Sequence, residues 1–135
     1  MKTPLLSHVS LRVENLEKMV DFYQRLFGMK TFWQLQGVKS YMTTGNLDSL
    51  ALMKHPYSDP NTSTPNDLPG REGPLDHLGF IVQSEEELVQ VAQDIRRKGV
   101  KVWGPYTSRD KTISVYVPDP EDNVVQIAYM PLLKK

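Results

Sequence analysis

No cysteine occurs in the 135 residues, which excludes disulfides, CxxC redox pairs, thiolate metal sites and a cysteine nucleophile. Nor is there an excess of charge of either sign: 16 basic side chains stand against 16 acidic ones. Without net charge or a basic run, the chain is a poor match for nucleic acid or an anionic membrane surface. Long hydrophobic runs are also missing, and nothing approaches the roughly 20 apolar residues that span a bilayer. The opening, Met1 to Leu6, turns polar too early for a secretory leader. What is present is the composition of a globular protein: 39% hydrophobic, 24% charged, and long enough to bury one core. These features predict a cytoplasmic protein, one domain over residues 1–135, that handles small molecules.

The chain repeats itself. His8-Val9-Ser10-Leu11-Arg12-Val13 aligns with His77-Leu78-Gly79-Phe80-Ile81-Val82 at an offset of 69. Each run is followed by a polar helix start, an amphipathic stretch, a glycine and an aromatic-bearing run. The glycines, Gly28 and Gly99, are 71 apart, which predicts a second helix two residues longer. The halves also end alike, with Ser49–Pro56 matching Val124–Pro131 at an offset of 75. Three anchors in the same order predict two copies of one module, residues 5–56 and 74–131, joined by a linker over 57–73. The stretch His55–Leu75 holds five prolines, and it reads as a connector or flap.

Local rules give the elements. Asn15 and Ser84 are N-cap residues, and Ser84-Glu85-Glu86-Glu87 is a capping box with acids in the first turn. Apolar positions then recur every three or four residues, and Gly28 and Gly99 close the helices. Strands are predicted from period-two alternation around these helices, with Gly45-Asn46 and Glu121-Asp122-Asn123 as turns. Each module therefore reads strand–helix–strand–strand–strand, an α+β fold of two tandem βαβββ modules. Val9, Leu11, Val13, Leu78, Phe80 and Val82 belong under the helices. The opposite face receives His8, Ser10, Arg12, His77, Gly79 and Ile81, then Thr112, Ser114 and Tyr116, and Val124, Gln126 and Ala128. Two twisted sheets placed edge to edge make a curved mixed-sheet cup lined by that face, with the helices outside. His55, at a strand end beside Pro56, reads as a surface residue. Trp33, Trp103 and Phe32 read as core or rim aromatics.

The sequence resembles the vicinal oxygen chelate family of glyoxalase I, extradiol dioxygenases, fosfomycin-resistance enzymes and bleomycin-resistance proteins. The resemblance lies in His8 opening the first strand and in the helix end Asp21-Phe22-Tyr23…Leu26-Phe27-Gly28. It continues in Asp76-His77-Leu78-Gly79-Phe80 and in the stretch from Val115 to Gln126, which is similar to the family's YxxDPxGNxxE strand–turn–strand. It covers both modules.

The resemblance implies metal-ligand positions at His8, Ala51, His77 and Gln126. Ala51 has no donor, so three ligands remain: His8, His77 and Gln126. The implied cofactor is a divalent metal, Fe(II), Mn(II), Zn(II) or Ni(II). An uncharged glutamine holds it more weakly than the usual glutamate. Tyr116, ten residues before Gln126, stands where ring-cleaving dioxygenases place an active-site tyrosine. Ser10, Arg12 and Ser114 are the candidate substrate contacts. The implied activity is Lewis-acid chemistry on a substrate with vicinal oxygens, dioxygenase-like or lyase/transferase-like. A glyoxalase-type isomerisation ranks below these, because Ala51 and Gln126 remove both usual carboxylate bases. The alternative is a metal-free binding protein of the bleomycin-resistance type, favoured by the loss of the carboxylate. Exposed sheet edges and the habit of the family predict a homodimer.

Overall fold

A computed structural model describes residues 3–54 and 73–133; His55 and the stretch 57–72 of the predicted linker lie outside the described residues. The first half runs β1 (Leu5–Val13), α1 (Leu16–Phe27), β2 (Lys30–Leu35), β3 (Lys39–Thr43) and β4 (Ser49–Lys54). The second runs β5 (Leu75–Val82), α2 (Glu85–Arg97), β6 (Trp103–Thr107), β7 (Ile113–Pro118) and β8 (Val124–Tyr129). A short 3-10 turn follows at Pro131–Leu133. All eight strands join one mixed sheet in the order β2-β3-β4-β1-β5-β8-β7-β6. Exchanging β1 with β5 and each later strand with its counterpart reverses that order onto itself. The central β1–β5 pair is antiparallel, as a twofold between the halves requires. No described helix is long and apolar enough to cross a membrane.

The helices start where their caps allow. The Asn15 side chain accepts from the N–H of Lys18, and that of Ser84 from the N–H of Glu87. Glu87 reaches back to the N–H of Gln83 at 2.9 Å, one residue earlier than a capping box would place it. The two-residue difference in helix length predicted from the glycines is only partly realised. α1 has 12 residues and ends directly on left-handed Gly28, whereas α2 has 13 and places Lys98 before left-handed Gly99. The extra residue therefore sits in the cap.

Both helices cover one face of the sheet. Val13, Leu50, Leu52 and Met42 pack with Leu16, Val9 and Leu11 in a cluster that Met19, Val20 and Tyr23 of α1 complete. Val82, Val115 and Ile127 pack with Leu88, Val91 and Ala92 of α2, joined by Phe80, Ile113 and Val117. The opposite face is less open than alternation alone implies. Ile81 and Ala128, both on it, are buried with Met130 and Leu133 of the C-terminal turn and with Phe32. These apolar side chains gain by being covered, and the C-terminal turn covers them. The remainder of that face is the site.

Candidate functional site

The face away from the helices is ordered by strand register into two side-by-side rows that overlap on β1 and β5. One runs from Trp33 through Tyr41, Ala51 and Ser10 to His77. The other runs from His8 through Gly79, Gln126 and Tyr116 to Trp103. The rows bring a histidine from each half to the central seam. His8 and His77 are both 6% exposed, their rings stack with centroids 5.0 Å apart, and their Nε2 atoms lie 2.9 Å apart.

Gly79 makes this approach possible. A Cβ on it would stand 2.9 Å from Cδ2 of His8 and 3.0 Å from its Cβ, so only a residue without a side chain fits between His8 and the Gln126 strand. Gln126 is buried. Its Nε2 donates to Oγ of Ser114 at 2.7 Å and to the Tyr116 hydroxyl at 3.3 Å. Its carbonyl oxygen is buried without a partner. Tyr116 is buried too, edge-on to His77 at 6.1 Å. Six sequence-predicted residues, His8, His77, Gln126, Tyr116, Ser10 and Ser114, thus share one buried region. The hydroxyl of Ser10 there is buried without a partner. Ala51 contributes only a methyl group.

Arg12 is held by partners within the protein. Its guanidinium lies 3.1 Å from Oδ1 of Asp76 and donates to the carbonyls of Gly73 (2.6 Å) and Leu75 (3.1 Å). Asp76 in turn holds Nδ1 of His77 through Oδ2 at 2.7 Å. Sequence reasoning gave Asp76 no role, because the neighbour of a strand histidine should point to the opposite face. The ladder slips here: Ser10 pairs with His77 and Leu11 with Leu75, so Asp76 is the extra residue of a bulge. Lys39 was also missed. It is buried on the same face, its ammonium 5.4 Å from the Trp33 ring and 5.7 Å from that of Tyr41.

Burial pushes His8 well below the ordinary imidazole value, and the neighbouring His77 pushes it the same way, against the opposing charge of Asp76. His8 is therefore a neutral ring near pH 7, able to offer a lone pair. The donor set at the seam is two imidazoles and one amide oxygen. Among the described residues there is no group of three or more His, Cys, Asp or Glu able to hold a metal. Two nitrogens converging from opposite sides, with an unpartnered buried oxygen nearby, nevertheless suit a borderline divalent cation.

Comparison with known proteins agrees with the fold. Glutathione transferase FosA of Serratia marcescens is 25% identical over 122 residues, covering 90% of this chain and 78% of that protein. The fold is similar to that of methylmalonyl-CoA epimerase from Mycobacterium tuberculosis, with a TM-score of 0.68 at 17% identity, over 96% of this chain and 92% of that one. It is also similar to the Mn(II)-bound glyoxalase from Novosphingobium aromaticivorans, with a TM-score of 0.70 at 19% identity, over 92% of this chain and 37% of that one. Residues 5–127 match the sequence profile of the Glyoxalase/Bleomycin resistance protein/Dioxygenase superfamily. With the match spanning both halves and the paired sheet in place, the chain belongs to that superfamily, the vicinal oxygen chelate family.

Proposed function

We propose that the protein is a small-molecule enzyme whose His8, His77 and Gln126 hold a divalent cation that receives two vicinal oxygens of the substrate. The observation that carries this reading is the facing pair of buried Nε2 atoms, 2.9 Å apart and contributed by different halves. When bound, such a cation supplies Lewis-acid chemistry, drawing charge from the coordinated substrate oxygens. The chain's own residues do the rest. His8 and His77 supply the two imidazole nitrogens, Gln126 turns its oxygen away from Ser114 and Tyr116, and the burial of all three keeps water from the reacting atoms. Tyr116, fixed by Gln126, is assigned to hydrogen bonding or acid/base partnering of the substrate. Ser10, Ser114 and Arg12 are assigned to substrate contact, with Arg12 also holding Asp76. A dioxygenase-like or lyase/transferase-like reaction fits a site without a carboxylate on this face of β4 or β8. We assign the protein a homodimeric state.

One observation favours a second reading, a metal-free binder. Gln126 is uncharged and its amide nitrogen is already hydrogen-bonded within the protein. Metal analysis of protein purified without added metal, with titration of Mn(II) and Zn(II), decides between the two. The enzyme reading expects binding that His8→Ala and His77→Ala each weaken by about tenfold or more, and that Gln126→Glu strengthens by adding a charged oxygen. Absence of binding in the wild type favours the binder. Equal affinity in all three variants places any metal elsewhere.

A further inference from the structure

The two histidines are equivalent by repeat but not by surroundings, and the difference lies in the residue before each. Ser7 precedes His8 and Asp76 precedes His77, at the same offset of 69. Both are the extra residue of a bulge. Leu6 pairs with Phe80 and His8 with Gly79, which leaves Ser7 out of register, as Asp76 is between His77 and Leu75. A bulge turns its residue toward the side it would otherwise face away from. In the second half that residue is a carboxylate, 2.7 Å from Nδ1 of His77. In the first half it is a serine whose hydroxyl is buried without a partner, beside a His8 whose Nδ1 is likewise buried and unpartnered.

We propose that Asp76, clamped by Arg12, is a positioning residue that keeps the proton of His77 on Nδ1. The Nε2 lone pair of His77 is then permanently aimed at the cation position. This rests on the metal-holding reading above. An ionised carboxylate only accepts, so the Nδ1 it touches must carry the proton. Arg12 holds the other carboxylate oxygen at 3.1 Å and ties the same guanidinium to the Gly73 and Leu75 carbonyls, so Asp76 cannot swing away. In the neutral His77 ring Nε2 is then the acceptor, and the 2.9 Å contact has Nε2 of His8 donate. His8 then carries a bare Nδ1, the protonation that suits a buried nitrogen with no acceptor beside it. The neutral His77 is therefore preset for a cation, whereas the proton of His8 must move from Nε2 to its bare Nδ1 before Nε2 can ligate. A carboxylate behind a metal-binding imidazole fixes its tautomer and raises its basicity, and losing it costs about 10–100-fold in metal affinity.

Long-range proton–nitrogen NMR of the metal-free protein, labelled in histidine, reads both tautomers directly. The expected spectrum shows His77 protonated on Nδ1 and His8 on Nε2. A wild-type His77 protonated on Nε2 overturns the proposal, whatever any variant does. Asp76→Ala is expected to lose the Nδ1–H signature of His77 and to weaken Zn(II) binding by calorimetry about 10–100-fold, with Asp76→Glu restoring both. A folded Asp76→Ala that keeps wild-type Zn(II) affinity also overturns it. The expected tautomers in a wild type that binds no Zn(II) uphold the positioning by Asp76 and sink the metal reading alone.

Discussion

At the scale of single residues, the site depends on one side chain that is missing. Gly79 is not in the left-handed region, so its glycine is not required by backbone conformation. It is required by the His8 side chain, which occupies the space where a Cβ would be, and by the backbone carbonyl oxygen of Gln126, 3.2 Å from that position. Gly79→Ala is expected to destabilise the protein by about 1–3 kcal/mol, the usual cost of overpacking a close contact. It should also weaken Zn(II) binding, because the ring that must yield is one of the proposed ligands. Denaturant unfolding and calorimetry on the same variant check both; unchanged values for each would show that the strands absorb the methyl group freely. The main donors were legible at this scale. Period-two alternation with the 69-residue repeat was enough to put His8, His77, Gln126 and Tyr116 on one face. Asp76 was not legible, since a bulge inverts parity locally and nothing in the residue types around it announces a slip in hydrogen-bond register.

At the scale of elements, helix starts and turns followed their local residues closely, while what covers each face did not. The β3–β4 connection shows how a short loop is fixed. Gly45-Asn46 was read as the turn, but Asp48 is the residue that ties it. Its carboxylate accepts from the Thr43 hydroxyl and the Thr44 N–H, both at 2.8 Å, and from the Thr44 hydroxyl. Partial burial raises the Asp48 pKa, but the hydrogen bonds from Thr44 and Thr43 outweigh it and hold the group below its ordinary 3.8. A carboxyl depressed in the folded state contributes stability above its unfolded value and loses it as pH falls through the folded value. Asp48→Ala is therefore expected to cost about 1 kcal/mol at pH 7, a low figure because the loop is well solvated. Unfolding curves of the two proteins should converge as pH drops below 3.8. A gap that persists there would mean the carboxylate charge is irrelevant to the turn. The C-terminal turn over Ile81 and Ala128 was beyond local reasoning, because only the assembled sheet creates the patch that Leu133 covers.

At the scale of the whole molecule, the repeat carried the most information. An edge-to-edge pair of modules follows from it, and the strand order β2-β3-β4-β1-β5-β8-β7-β6 is such a pair joined at β1 and β5. What the repeat could not show is where the two halves stop resembling each other on the outside. The outer surface of α1 keeps Phe22 (40%), Leu26 (55%) and Phe27 (64%) exposed, whereas α2 exposes only Val89 among its large apolar residues. The Phe22, Tyr23 and Phe27 rings lie 5.2–6.1 Å apart. Tyr23 also lines a largely apolar cavity of about 600 Å³ with Met29, Leu50, Leu78 and Leu6, and Leu6 is itself 66% exposed. Such a patch, present on α1 and not on α2 and flanked by the exposed Glu17, Asp21 and Arg25, is expected to act as an association surface. A twofold contact through it buries the same residues on both copies. Sedimentation at micromolar concentration is accordingly expected to give a species of twice 15.5 kDa. The double variant Leu26→Glu and Phe27→Glu should return a folded protein of 15.5 kDa that keeps its Zn(II) affinity, because both side chains are exposed at the end of α1 and neither lines the cavity that His8 borders. A wild type already at 15.5 kDa refutes the dimer, and a variant that stays paired moves the contact to the edge strands β2 or β6.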